Sequence, residues 1–422
     1  MAERGKYEEL FKPITIGNVE IKNRIAMSPM CTSFGTHDGY VTEQFKAYYA
    51  ARAKGGVGLI ISGPVTVVEF QAKRHCNKPL LLYNYSHIPG LSEIAEIIHY
   101  FGAKTILQMG SGAGRQAKRA GMEDPTLDII SASPVTYRIL PESIPKKSAD
   151  MYARRGWPPP MAANMVGEIP RPATLEEIEM QEDGYANTAA MARICGFDGV
   201  EVHHAHGYFG FSFLSPRLNL RTDHYGGSLE NRTRFMRNSL LKSKQKAGKD
   251  FVIGIRISID ELMPGGLTHE EVKEICKQME SLGCDFINLS TGCYDRWDSL
   301  FPDKDGTMLD HATSIKKVVN IPVITPSVHD PDMAEKAIKE GKTDMIALGR
   351  GLLADPAWAN KVAQGKKPVK CIRCNFGCLR RLLETGEAIR CEVNPELGME
   401  QYNPEYLPKP PFHRAWRHDR IP

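Results

Sequence analysis

Eight short apolar segments, separated by helix signals, place the strongest constraint on how this chain folds. Each contains Val, Ile or Leu, and most are rich in them, as strands buried on both faces of a sheet are. The segments are residues 24–30, 57–62, 104–109, 198–203, 251–258, 285–290, 321–325 and 344–349. Alternation of strand and helix implies parallel strands, so this pattern predicts an α/β fold, a (β/α)8 TIM barrel. A doubly wound open sheet is the alternative.

Helix signals lie between the strand segments. Thr174 and Glu177 form a capping box ahead of a segment that stops at Gly196. Asp330, followed by a proline, opens another helix that stops at Gly341. These start and stop signals support the strand-then-helix pattern.

Composition excludes several classes of protein. The 422 residues are 42% hydrophobic and 25% charged, with a net charge of +4, which is ordinary for a globular protein. So small a net charge predicts neither a nucleic-acid nor a membrane partner. The first ten residues lack the apolar run of a signal peptide, and no stretch approaches the roughly 18 apolar residues of a spanning helix. We therefore expect a cytoplasmic protein, whose ten cysteines serve as free thiols or metal ligands rather than disulfides.

A long irregular stretch follows the third strand segment. Residues 115–170, approximately, are rich in Pro, Ser and Arg, and excursions of that length are usually functional or disordered. In a barrel this insertion would cover the mouth. We expect residues 1–365 to form the barrel with its cap, and residues 366–422 to form a cysteine-containing segment with a Pro-rich tail.

The ends of the predicted strands carry polar, basic and glycine residues. In a TIM barrel, chemistry is placed at these C-terminal ends and in the loops after them. Gln108 suits the hydrogen-bonding edge of a flavin pyrimidine, and Arg256 suits the oxygen next to flavin N1. "GSGAGR" (110–115) lacks the spacing of a dinucleotide fingerprint, so phosphate is expected later in the barrel. The candidate phosphate residues, which together with the others favour FMN, are Ser327, Val328, Gly349 and Arg350.

The segment "EVHHAHGYFGFSFLSPRLNLRTDHYGGSLENR" (201–232) resembles the signature region of the Old Yellow Enzyme family of FMN-dependent barrels. The likeness covers about residues 10–360. It implies that His203 and His206 hydrogen-bond a carbonyl, carboxylate or nitro oxygen of the substrate, and that Tyr208 donates a proton. The same resemblance implies FMN contacts for Pro29, Met30, Gly63, Gln108, Arg256, Gly349 and Arg350.

Two further residues near this predicted site have other interpretations. Cys31 matches a position that carries a redox-tuning cysteine in one branch of the family and a covalent flavin link in trimethylamine dehydrogenase. A small buried thiol is the third interpretation of Cys31. His204 has no counterpart among the substrate-binding residues, and we interpret it as a packing residue.

Four cysteines near the end of the sequence predict a metal centre. They follow the pattern CxxCxxxCx12C and are Cys371, Cys374, Cys378 and Cys391. Four thiolates hold either Zn(II) or a [4Fe–4S] cluster. Three bunched cysteines with a fourth beyond are more typical of the cluster. The pattern after a flavin barrel is also similar to 2,4-dienoyl-CoA reductase and trimethylamine dehydrogenase, which carry FMN and [4Fe–4S].

The resemblance implies an FMN-dependent ene-reductase that transfers hydride from flavin N5 to an α,β-unsaturated acyl-CoA, carboxylate or ketone. Those relatives continue into further nucleotide-binding domains, whereas we expect none here, because residues 404–422 form a Pro-rich tail. We therefore expect electrons from NAD(P)H or a separate electron-transfer partner to arrive through the cluster, and a homo-oligomer. The alternatives are an amine dehydrogenase of the trimethylamine dehydrogenase type and an electron-relay subunit. The pair His203 and His206 favours an oxygen-bearing substrate, and so reduction.

Overall fold

The computed structural model describes residues 5–74, 80–119, 122, 124–162 and 165–406, and its centre is a closed parallel barrel. The strands are β1 (Ile25–Met27), β2 (Leu59–Thr66), β3 (Lys104–Gly110), β4 (Gly199–His204), β5 (Val252–Ser258), β6 (Ile287–Ser290), β7 (Val323–Pro326) and β8 (Met345–Leu348). Each pairs in parallel with the next, and β8 pairs with β1 to close the ring. The predicted TIM barrel is confirmed, and the open-sheet alternative is wrong.

The main helices follow the strands along the chain. They are α1 (Glu43–Lys54), α2 (Ile88–Tyr100), α3 (Leu175–Cys195), α4 (Arg234–Ala247), α5 (His269–Ser281), α6 (Leu309–Lys316), α7 (Pro331–Lys339) and α8 (Trp358–Ala363). Helix α3 begins with the predicted capping box of Thr174 and Glu177, and it ends at Gly196 with φ +90°. The Asp330 side chain caps α7, as its position before a proline predicted.

Short elements complete the described chain. They are the strands Ile14–Ile16, Val19–Ile21, Leu80–Leu81, Ile130–Ser131 and Arg171–Pro172, the short helices Glu8–Phe11, Glu69–Ala72, Lys146–Arg154, Phe209–Leu214, Leu229–Arg232, Trp297–Leu300, Arg350–Ala354 and Arg381–Leu383, and the single turns Tyr85–His87, Gly114–Gln116, Pro141–Ser143, Phe376–Arg380, Glu400–Tyr402 and Pro404–Tyr406. None of the helices in the described ranges is long and apolar enough to cross a bilayer.

An antiparallel hairpin near the N-terminus packs on one end of the barrel. It pairs Ile14–Ile16 with Val19–Ile21. Its buried residues Ile16 and Ile21 join a hydrophobic cluster with the first residues of several strands, among them Leu59. Because the hairpin packs on the N-terminal ends of the strands, the C-terminal ends remain available for a site.

The insertion after β3 packs near the C-terminal ends of the strands. Tyr137, Ile139 and Met161 of this cap form a small hydrophobic cluster with Trp297, which follows β6. The cap is therefore anchored on the loop after β6.

Residues 366–406 pack against both the barrel and the cap. Arg52 of α1 and Glu400 form an ion pair at 2.5 Å, and both side chains are almost fully buried. In the cap, the Tyr152 hydroxyl donates to Glu384 at 2.6 Å. Most of the predicted Pro-rich tail, residues 407–422, lies outside the described residues.

The buried pair of Arg52 and Glu400 yields a stability prediction. We expect Glu400→Gln to lower the free energy of unfolding by about 3–5 kcal/mol, because it leaves the Arg52 guanidinium buried without a counter-charge. The measurement is the midpoint of urea denaturation. Glu405→Gln, which removes the exposed pair with Lys54 at 2.9 Å, is the matched control and should barely change the midpoint. Equal midpoints for both variants would contradict a stabilising role for Glu400.

Candidate active site

A cavity of about 630 Å³ opens at the C-terminal ends of the barrel strands. Residues from the strand ends, the cap and residues 378–389 line it. Of the barrel residues that the sequence predicted for the site, the lining includes Pro29, Met30, Cys31, Gly63, Gln108, His203, His206, Tyr208, Arg256, Ser327, Gly349 and Arg350. Val328 differs, because its side chain is fully buried in the main hydrophobic core.

Two histidines and a tyrosine meet on one wall of this cavity. His203 lies near the end of β4, and His206 and Tyr208 lie in the turn that follows. The turn is possible because His206 and Gly207 adopt φ values of +67° and +84°. The His203 ring lies 5.1 Å from that of His206 and 5.6 Å from that of Tyr208, between centroids. Three polar groups therefore face the same small volume.

Burial keeps both histidines neutral. It lowers the pKa of His203 well below the ordinary value, and the neighbouring His206 ring and Arg256 guanidinium act in the same direction. Burial, with Arg256, also lowers the pKa of His206. Nδ1 of His203 has no hydrogen-bond partner among the described residues, whereas Nε2 of His206 contacts Ser290 Oγ at 2.5 Å. The pair can therefore offer N–H donors across the neutral pH range without titrating.

Tyr208 has a partner that the sequence interpretation missed. Its hydroxyl lies 2.9 Å from the hydroxyl of Tyr294, which follows β6. Burial raises the pKa of Tyr208, whereas the hydrogen bond with Tyr294 lowers it. Tyr294 could have been predicted as a site residue from the sequence. It lies four residues after the sixth strand segment, and residues that follow a barrel strand line the mouth of the barrel.

The floor of the cavity holds a buried polar network. Glu201 on β4 accepts hydrogen bonds from Gln108 Nε2 at 2.5 Å and from Asn288 Nδ2 at 2.7 Å. Arg256 on β5 pairs in register with Asn288 and lines the cavity above this network. Glu201 and Asn288 were not predicted as site residues, although each is a polar residue within an apolar strand segment.

Buried ion pairs hold the loops around the mouth. Arg217, from the "SPRLN" part of the quoted motif, contacts Glu261 at 2.5 Å and Asp295 at 3.3 Å. Arg115 also pairs with Asp295. Arg115, Arg217, Glu261 and Asp295 follow β3, β4, β5 and β6, respectively. Part of the motif thus anchors loops rather than contacting a ligand.

Gly63 allows β1 and β2 to approach closely at the cavity. A Cβ atom at this position would lie 2.4 Å from the carbonyl oxygen of Met30. The Gly63 N–H donates to the Tyr49 hydroxyl at 2.7 Å. A side chain at position 63 would therefore displace the backbone after β1.

At the opposite side of the cavity, Arg350, one of the predicted phosphate residues, contacts the C-terminal segment. The Arg350 guanidinium donates to Asn375 Oδ1 at 2.8 Å and to the Pro302 carbonyl at 3.0 Å. Ser327 adopts φ +64°, and its carbonyl accepts from the Gly306 N–H. Arg350 therefore joins the rim of the barrel to the segment that carries the four cysteines.

Cys31 and His204 have different surroundings. Burial raises the pKa of the Cys31 thiol to about 11, so it is a neutral thiol at the cavity wall. His204 lies within the core and stacks on Phe235, with ring centroids 5.0 Å apart. Burial lowers the pKa of His204 to about 3.

The four predicted metal ligands line a second, small cavity of about 20 Å³. They are Cys371, Cys374, Cys378 and Cys391. Cys378 and Arg350 line both this cavity and the large one. Within the described ranges, no three His, Cys, Asp or Glu side chains come together as ligands of one metal ion. The cysteines thus surround a shared space without converging on a single point.

The chain is similar to two curated enzymes and to one solved structure. The NADH oxidase of Thermoanaerobacter brockii is 38% identical over 400 residues, covering 93% of this chain and 57% of that protein. The cinnamate reductase of Clostridium sporogenes is 34% identical, covering 94% of this chain and 59% of that protein. The solved complex of 2-naphthoyl-CoA reductase with 2-naphthoyl-CoA matches with a TM-score of 0.82 and 29% identity, covering 94% of this chain and 58% of that one. The chain thus spans less than two thirds of the length of each.

The family match covers the whole barrel. Residues 9–368 match the family described as NADH:flavin oxidoreductase / NADH oxidase. This match confirms the resemblance that the motif at 201–232 indicated. The chain belongs to the NADH:flavin oxidoreductase / NADH oxidase family.

Proposed function

We propose that this chain carries the catalytic barrel of an FMN-dependent reductase of C=C bonds conjugated to a carboxylate, thioester or ketone. The observation that carries the proposal is the pair of neutral histidines beside Tyr208 on the cavity wall. The names of two relatives support it, because one reduces cinnamate, a carboxylate, and the other was solved with an acyl-CoA.

The cavity suits FMN because buried polar atoms in its lining lack partners. Nε of Arg256 and Nδ1 of His203 have none among the described residues. Gln108 and Arg256 would hold the ring, and Ser327, Gly349 and Arg350 would lie towards the phosphate. When bound, FMN supplies a hydride for the β-carbon of the substrate.

Side chains of the protein stabilise the charge on the substrate oxygen and supply the proton. As hydride adds to the β-carbon, negative charge develops on the oxygen that activates the alkene. His203 and His206 donate hydrogen bonds to that oxygen, an effect worth roughly 3–4 kcal/mol per donor in comparable sites. Tyr208 delivers the proton to the α-carbon, which completes the addition of H⁻ and H⁺ across the double bond.

We also infer that Cys371, Cys374, Cys378 and Cys391 hold a [4Fe–4S] cluster. Three cysteines within eight residues and a fourth 13 residues later are more typical of such a cluster than of a zinc site, and all four line the small cavity. The Arg373 N–H donates to Cys371 Sγ at 3.4 Å, and hydrogen bonds to sulfur are a known means of tuning cluster potentials. Because Cys378 lines both cavities, electrons from NAD(P)H or a protein donor would have a short route from cluster to flavin. A separate electron-transfer partner and a homo-oligomer stay predictions.

Anaerobic half-reactions test the proposed function. Protein loaded with FMN and reduced with dithionite should be reoxidised by cinnamate, with one 3-phenylpropionate formed per flavin. Oxidised protein mixed with trimethylamine or sarcosine should remain oxidised. The opposite pair of results would instead favour an amine dehydrogenase, and inertness towards every substrate would favour an electron-relay subunit.

The histidine pair gives a binding prediction. We expect the double variant His203→Ala/His206→Ala to bind cinnamate at least 10-fold more weakly to oxidised protein, because hydrogen bonds to a charged group contribute about 1.5–3 kcal/mol each. The measurement is an absorbance titration of the flavin. His224→Ala, which removes an exposed histidine of the same motif, should bind like the wild type. Unchanged affinity in the double variant would show that the carboxylate is held elsewhere.

A further inference from the structure

Glu201 is a fully buried carboxylate beneath the floor of the cavity, with no part in the chemistry proposed above. It lies two residues before His203 on β4, and therefore on the same face of that strand. Its Oε1 accepts from Gln108 on β3, and its Oε2 accepts from Asn288 on β6. Both oxygens are thus held by amides from other strands of the barrel.

These contacts favour the ionised form of Glu201. A carboxylic acid needs an acceptor for its O–H, but each oxygen here faces an amide nitrogen, which only donates. Burial raises the pKa of Glu201, whereas the charge of Arg256 and the two amide donors act against that shift. A carboxylate with donors on both oxygens and a cation nearby can keep its charge in a buried site.

Arg256 is the cation that Glu201 faces. It pairs in register with His203 on one side and Asn288 on the other, so it lies one layer above Glu201. Its guanidinium makes no ion pair within 4.0 Å in the described part of the chain, and Nε lacks a hydrogen-bond partner. Arg256 lines the large cavity and Glu201 does not. A ligand in the cavity is therefore nearer to the positive charge of Arg256 than to the negative charge of Glu201.

We propose that Glu201 sets the reduction potential of the bound flavin by offsetting the charge of Arg256. The inference rests on the flavin site of the proposed function but not on its substrate. Reduction adds negative charge to the flavin, so a more positive pocket raises the potential and a more negative pocket lowers it. Opposite charges on neighbouring strands weaken each other's field in a buried site. Glu201 thus keeps the flavin a stronger reductant than Arg256 alone would allow.

The test is a spectroelectrochemical titration of flavin-loaded protein. We expect Glu201→Gln, which removes the charge but keeps the shape, to shift the midpoint potential upward. Glu201→Asp retains the charge and should stay closer to the wild type than Glu201→Gln does. A variant Glu201→Gln whose potential equals or falls below that of the wild type would overturn the proposal, as would an equal upward shift in Glu201→Asp.

A measurement on the unmutated protein covers the case in which Glu201→Gln does not fold. The infrared difference spectrum between oxidised and reduced wild type should contain a carboxylate band and lack the C=O band of a buried carboxylic acid. A carboxylic-acid band would show a neutral Glu201 and overturn the proposal.

The potential titration tests the role of Glu201 independently of the proposed reductase activity. The potential is measured with dithionite and dyes, without substrate. Failure to reduce cinnamate would contradict the reductase alone, and an unshifted potential would contradict the role of Glu201 alone. Wild-type protein that binds no flavin would contradict both.

Discussion

Tyr208→Phe should slow reoxidation of the reduced flavin by an unsaturated substrate by about 100–10,000-fold, the usual contribution of general acid catalysis. Reduction of the flavin by dithionite should be unchanged, because that half-reaction delivers no proton to carbon. Stopped-flow absorbance measures both rates on the same protein. Similar reoxidation rates in variant and wild type would remove Tyr208 from the mechanism.

The pH dependence of that rate follows from the surroundings of Tyr208. Burial raises its pKa above the ordinary value, so it remains a neutral phenol, the form that can deliver a proton, throughout the neutral range. The wild-type reoxidation rate should therefore be flat near neutrality and fall only at alkaline pH, as Tyr208 loses its proton. This alkaline fall should be absent from Tyr208→Phe.

Tyr294→Phe is the matched control for Tyr208→Phe. It removes the hydroxyl that lies 2.9 Å from Tyr208 but leaves the proton donor in place. Since that hydrogen bond stabilises the phenolate that forms when Tyr208 gives up its proton, its loss should slow reoxidation, but less than the loss of Tyr208 itself. A larger effect from Tyr294→Phe would make Tyr294 the donor.

The barrel could be predicted from the sequence because each of its strands is recognisable from its own short apolar segment. Strands buried on both faces must be apolar throughout, so the segments that became β1–β8 stand out against helices with polar faces. The rim residues followed from the same rule, since parallel strands bring their C-terminal ends together. The same rule applies to Tyr294, which lies four residues after the end of the sixth segment.

Other parts of the site depend on contacts between residues far apart in sequence. Arg350 was predicted to face phosphate, and it lines the cavity, but its hydrogen bond to Asn375 arises only when residues 366–406 fold back over the barrel. That segment has no periodicity to read, and its position depends on pairs such as Arg52 with Glu400, 348 residues apart. The role of Glu201 could not be predicted, because a buried carboxylate is recognised by its hydrogen-bond donors. Those donors, Gln108 and Asn288, lie far from Glu201 in the sequence.

Cys374→Ser should abolish the [4Fe–4S] cluster. Cys374 is buried and packs with Tyr152 of the cap and Phe376, so water has little access to replace the lost thiolate. The residues on either side, Arg373 and Asn375, adopt φ values of +60° and +53°, which constrain where a replacement ligand can point. Wild-type protein should contain about four irons and four acid-labile sulfides per chain, whereas the variant should contain almost none.

The same variant tests whether the cluster feeds electrons to the flavin. A cluster transfers one electron at a time and a flavin accepts two, so a one-electron donor such as reduced methyl viologen should reduce the wild-type flavin through the cluster. In Cys374→Ser this reduction should be much slower, while reoxidation by cinnamate after full reduction with dithionite should persist. Cys195→Ala, which removes a buried thiol on α3 outside both cavities, is the control and should keep its iron and both rates. Zinc in place of iron, or equally fast flavin reduction in Cys374→Ser, would contradict electron transfer through the four cysteines. Their role would then be structural.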